Sequence, residues 1–300
     1  MENGRLTIPW NNAVVIWLGE RSGYLSDWVT QQWVRSTGRK VRLADHAWLD
    51  GPVGNTRGIG KDFFYDYAKA RDLEVVESGP RGLLLDFKSL TGIDNDPSSI
   101  AQVVGDFYER TSAYELDAWS EWHGLFKPFG MALATIFSRR LQQLNIPLSS
   151  LDSSKGMTSN VLQMWSRATG ELVQTAWVRE LRATKHVLYA GSYSVCYVPG
   201  YSSACVKVVF PLPNGNAIVL MRPESHEDGY LSLTSSGNGF GDPGFYFTVR
   251  GEGDTVWARY VSAMKERITV YAAEDSTVRA DHVLWFWGKQ FLRLHYRMRV

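Results

Sequence analysis

Cysteine is nearly absent: two residues in 300, too few for the disulfide framework of a small secreted domain. Neither charge is in excess. The 32 Lys and Arg stand against 31 Asp and Glu, a net of +1. That leaves no electrostatic footprint for nucleic acid or an anionic membrane surface. No apolar run approaches the ~20 residues of a membrane-spanning helix, and residues 1–12 show no basic start or long apolar stretch of a secretion signal. The expectation is a soluble, cytoplasmic protein with reduced thiols, no nucleic-acid partner and no membrane span.

Catalytic and cofactor signatures are missing as well. There is no Gly-x-Ser-x-Gly nucleophile elbow and no His-Glu-x-x-His. Gly60-Lys61 is followed by Asp62, and Asn55 stands where a phosphate-binding loop needs its first glycine. Gly19 and Gly23 do not make the dinucleotide fingerprint. Cys196 and Cys205 have no histidine pair at zinc spacing, and small buried hydrophobes are their expected role. No metal and no cofactor is expected.

Aromatic residues are plentiful: 12 Trp, 14 Tyr and 13 Phe. They bring large buried area and often line pockets. A chain of this length buries about 75% of its unfolded surface, so it needs no staple to hold a core.

The chain is organised around residues 185–223. Read with period two, Val187, Tyr189, Gly191, Tyr193, Val195 and Tyr197 share one face, and the other carries small residues. A turn at Pro199-Gly200 leads to Cys205–Phe210, which places Cys196 across from Cys205. A second turn at Pro213–Asn216 leads to Ala217–Met221, apolar on both faces and so central in a sheet. Further strands are expected over 171–182, 230–234, 245–250, 256–261 and 267–272. In the last strand Leu292, Leu294, Tyr296 and Met298 face inward. Arg293, His295, Arg297 and Arg299 face out, spread in water or paired with acids.

Before residue 150 the patterning is mixed. Ala13–Leu18 predicts a strand, Leu25–Trp33 a helix and Lys40–Ala44 a strand, as in a βαβ unit. A glycine-rich loop spans 45–61, and Phe63–Arg71 predicts a helix. Gly82–Phe87 predicts a strand or buried turn. Asp96-Pro97 reads as a helix start. Ile100, Val103, Val104, Phe107, Tyr108, Tyr114, Ala118, Trp119 and Trp122 predict one long amphipathic helix. A second is predicted from Leu133 to near Pro147, and Ser149–Ser154 marks a composition break.

The predicted class is α+β: an α/β segment over 1–95, a helical hairpin over 96–148, and a large antiparallel sheet over 155–300. Sheets of that size tend to curl or close, since closure removes unpaired edges. The arrangement is similar to that of helix-grip and lipocalin-like barrels, with room for one small ligand.

Three functions are compatible with these residues. The first is a pocket for a small, largely apolar or amphipathic molecule, walled by Tyr189, Tyr193 and Tyr197, with Trp119 and an inward-facing His282. The second is an enzyme using Asp45 and His46 as an acid–base pair at a strand end, with Arg57 or Lys61 holding an anion. The third is a homodimer built on surface tryptophans such as Trp10, Trp48 or Trp165.

Overall fold

The computed structural model describes residues 25–54, 62–123, 157–181, 187–275 and 277–300. In chain order these form α1 (Leu25–Thr37), β1 (Arg39–Arg42), α2 (Phe63–Ala70), β2 (Leu73–Val76), α3 (Gln102–Glu109) and β3 (Glu115–Trp122). There follow β4 (Met157–Ser166), β5 (Leu172–Leu181), β6 (Val187–Val198), β7 (Tyr201–Leu212), β8 (Gly215–Ser225) and β9 (Leu231–Ser235). The chain ends with β10 (Gly244–Arg250), β11 (Thr255–Tyr260), β12 (Met264–Ala272), β13 (Val278–Phe286) and β14 (Lys289–Arg299).

All fourteen strands join one sheet, and every ladder is antiparallel. The main path runs β2-β4-β5-β6-β7-β8-β9-β12-β13-β14-β3. The sheet branches at β8. Residues 215–220 of that strand pair with β10, and residues 222–225 pair with β9. β11 and then β1 extend the branch.

Among the described residues the path does not close, so of the expected curved sheet or barrel it is the open sheet that is present. β3 comes within 8 Å of β4, yet no ladder joins them among the described residues. The two ends are poor pairing templates: β2 has four residues, and β3 presents Glu115, Asp117 and Glu121 on its exposed face. Short, charged edges resist further pairing.

The predicted long helix is also corrected. α3 stops at Glu109, and residues 115–122 are a strand whose burial alternates. Tyr114, Ala118 and Trp122 are four apart, a spacing that keeps side chains on one face of a helix and of a strand alike. The alternation of Leu116 and Ala118 with Glu115, Asp117 and Glu121 distinguishes the two. The predicted strand over 13–18 and the predicted helix over 133–147 lie outside the described residues. β1 has β11 as its partner, in an antiparallel ladder.

Elsewhere local chemistry gives the expected elements. The Asp96 side chain accepts from the Ser98 amide and Pro97 opens the turn, but the turn is a short 3-10 helix ahead of α3. Cys196 and Cys205 are cross-strand partners. The β7–β8 connection turns at Pro213-Asn214, where Asn214 takes φ +60°. Gly215 then opens β8 at a point where a Cβ would lie 1.9 Å from the Thr248 carbonyl of β10.

Three cores result. The largest fills the concave side, where Val104, Phe107 and Tyr108 of α3 meet Trp177, Val208, Val219, Leu233 and Val270. A second packs Trp48, Leu49 and Tyr246 against Cys205, Val209, Ile218 and Leu220 on the other face of β7 and β8. A third sets Phe64 and Ala68 of α2 against Leu162, Met164, Ala176 and Val178. Each large apolar side chain so buried contributes about 1.5–3 kcal/mol.

Candidate ligand-binding cavity

The inward faces of the strands meet around a cavity of about 110 Å3. Trp177 and Arg179 come from β5, Tyr189 and Tyr193 from β6, Glu266 from β12, His282 from β13 and Tyr296 from β14, while Phe107 and Tyr108 of α3 cover it. Cross-strand register explains the fit. Arg179 is opposite Tyr189, and Trp177 is opposite Gly191. With no side chain at Gly191, the Trp177 ring lies between Tyr189 and Tyr193, 5.8 and 5.9 Å from their centroids.

Arg179 is the dominant electrostatic feature. It is 8% exposed, at a point where the β5–β6 register shifts; such irregularities re-aim a side chain. Its guanidinium carbon lies 3.9 Å from the Trp177 ring centre, 4.7 Å from Tyr189 and 5.5 Å from Tyr296. Its Nε has no hydrogen-bond partner among the described residues, and its side chain hydrogen-bonds that of Tyr296. Each ring returns roughly 0.5–2 kcal/mol to a buried cation, against a desolvation penalty of several kcal/mol per ion. Three rings together return about 1.5–6 kcal/mol, comparable to that cost, but they supply no counter-charge.

The remaining polar groups are mutually engaged. The Tyr189 and Tyr193 hydroxyls are 2.5 Å apart. Burial raises the Tyr189 hydroxyl well above its ordinary pKa of 10.0 and pushes Tyr193 up to about 12, with Arg179 pulling both the other way. Burial also raises Tyr296, again opposed by Arg179. His282 Nε2 is 2.8 Å from Glu266 Oε2. The two side chains are a diagonal pair across β12 and β13, within reach for long polar groups.

Of the sequence-predicted pocket residues, Tyr189, Tyr193 and His282 converge on the cavity. Tyr197 does not: the β6–β7 register shifts between Cys196 and Val198, and Tyr197 is 68% exposed. Trp119 stands on the opposite face of the sheet, stacked on His295 at 5.3 Å. Its placement follows from β3 being a strand. On that face His295 Nδ1 is 2.6 Å from Asp281, Arg293 pairs with Asp281 at 3.2 Å, and Arg299 lies 3.7 Å from Glu115 and 3.6 Å from Asp117. The basic stripe of β14 is thus neutralised by acids.

Asp45 and His46 lie in short 3-10 turns. The Asp45 carboxylate is 3.7 Å from Arg42, and His46 Nδ1 faces the Arg42 carbonyl at 3.2 Å. Each side chain thus engages Arg42, not the other. Arg57, Lys61 and Trp10 lie outside the described residues. Trp48 is buried in the second core, not a surface tryptophan, and Trp165 is half-buried.

The sequence reading missed Arg179, Glu266 and Trp177 as site residues. A signal was present: Trp177 and Arg179 are two apart in an apolar strand, and the Ile268, Val270 alternation extends back to Glu266. Tyr296 falls on the predicted inward face of the last strand, where its spacing alone assigns it no role.

No family model matches the chain, and no solved structure does. The chain is similar to a protein of Bacillus subtilis (strain 168) named as the uncharacterized membrane protein YndJ, with 28% identity over 242 residues. The match covers 80% of this chain and 41% of that relative, so the chain spans well under half of the longer protein. The relative's name points away from a cytoplasmic protein and corrects that expectation. Among the described residues no helix is long and apolar enough to cross a membrane.

Proposed function

We propose that this protein binds a small, largely apolar or amphipathic molecule inside its curved sheet. The observation that carries the reading is the aromatic-walled cavity of about 110 Å3 with convergent polar groups at Arg179, Glu266 and His282. Binding sites combine apolar walls with a few placed polar groups in this way. The volume sets the scale of the guest. A cavity of roughly 150 Å3 holds a benzene molecule, so about 110 Å3 limits the guest's apolar body to one small ring or a few methylenes and excludes a long acyl chain or a nucleotide.

The test is saturable binding of small probes, such as benzene and benzyl alcohol, to the folded chain, followed by ligand-observed NMR and native mass spectrometry. Gly191→Val should abolish it, since a Cβ at this position lies 2.9 Å from the Tyr189 hydroxyl and 3.2 Å from the Phe210 ring and would displace both from the cavity wall. If no probe binds the folded wild-type chain, the reading fails.

A further inference from the structure

The guest's chemical class is readable from the charges in the cavity, granted the binding reading above. We propose that the cavity takes a small organic carboxylate, with its anionic head at the Arg179 guanidinium and its apolar body against Trp177, Tyr189 and Tyr193.

Most polar groups in the cavity already have partners. Glu266 is held by His282 at 2.8 Å, and the two tyrosine hydroxyls at 189 and 193 hold each other. Arg179 is more than nine-tenths buried, lines the cavity, and meets three aromatic faces and the Tyr296 hydroxyl but pairs with no carboxylate among the described residues. Glu266 shares the cavity but is engaged by His282, and a buried cation without a directly paired anion is costly. A cationic guest would add to that cost, and a neutral guest would leave it standing. A carboxylate removes it, because its two oxygens match the planar fork of guanidinium donors. Arg179 Nε, unpartnered among the described residues, supplies one arm of that fork. The aromatic faces that surround the guanidinium then wall the apolar body of the same guest.

The experiment compares matched probes on the full chain by calorimetry: hexanoate against hexanol, benzoate against benzyl alcohol, and inorganic phosphate alone. Each carboxylate should bind at least ten times more tightly than its alcohol, and phosphate should neither bind nor displace benzoate. In Arg179→Met the alcohols should still bind and the carboxylate preference should vanish. Equal binding of acid and alcohol by the wild-type chain would overturn the carboxylate inference and leave the pocket reading standing. Displacement by phosphate would likewise overturn it in favour of a plain anion site. Binding of neither probe would overturn both. The wild-type comparison decides the matter even if Arg179→Met fails to fold.

Discussion

His282 Nε2 and Glu266 Oε2 lie 2.8 Å apart, with their side chains only 15% and 10% exposed. Removing one partner of a buried pair strands the other, whereas replacing both with apolar groups of similar size is often neutral. Glu266→Leu or His282→Leu alone should therefore cost about 3–5 kcal/mol in urea unfolding. The double variant Glu266→Leu/His282→Leu should cost less than either single change. Additive losses in the double-variant cycle would show that the two groups are not energetically coupled.

The cavity tyrosines set a pH dependence. The Tyr193 hydroxyl is pushed up to about 12, and Tyr189 and Tyr296 are also raised, burial being the main cause in each. In the unfolded chain the same hydroxyls ionise near 10. Above that pH the unfolded state loses protons that the folded state keeps. Their contribution is fully present below pH ~10 and is lost as pH rises toward about 12 and beyond. Denaturation midpoints should fall over that window, and Tyr193→Phe should make the fall shallower. An identical slope in Tyr193→Phe would remove this residue from the account.

Cys196 and Cys205 face each other across β6 and β7 as free thiols. Burial pushes Cys196 up to about 11 and Cys205 up to about 12. The thiolate is the reactive form, so at pH 8 both should resist a thiol reagent in the folded protein and react rapidly in denaturant. Fast labelling of the native chain would contradict the burial of Cys205 and the raised pKa of both thiols.

Much of the sheet was legible because its signals are local. Strand alternation, the Pro199-Gly200 and Pro213-Asn214 turns, and the inward set Leu292, Leu294, Tyr296 and Met298 all follow from neighbours in sequence. The helix expected through Trp122 shows where that logic fails. Residues four apart satisfy both periods, and only the finer alternation of acids with Leu116 and Ala118 tells them apart. The cavity was half legible. Tyr189 and Tyr193 belong to one strand and announce themselves by spacing. Arg179 and Glu266 are 87 residues apart and share a cavity only because the sheet curls, which no local pattern encodes. Tyr197 went astray for the opposite reason, since a register shift breaks an alternation that the sequence continues.

The inward face of β14 offers the sharpest test of the sheet itself. Leu294 is 9% exposed and is paired with His282 on β13 and Ser120 on β3. An aspartate there would stand across from His282, which Glu266 already holds at 2.8 Å, and the arginines of β14 point to the other face. Leu294→Asp should cost more than about 3 kcal/mol in equilibrium unfolding, the range for a buried unpaired charge. Leu294→Ala should cost about 2–5 kcal/mol through the cavity it leaves. Arg299→Ala, on the solvent side with ion pairs at 3.6–3.7 Å, should stay within about 0.5 kcal/mol of wild type. A Leu294→Asp effect below about 1 kcal/mol would mean that this strand presents its other face to the core.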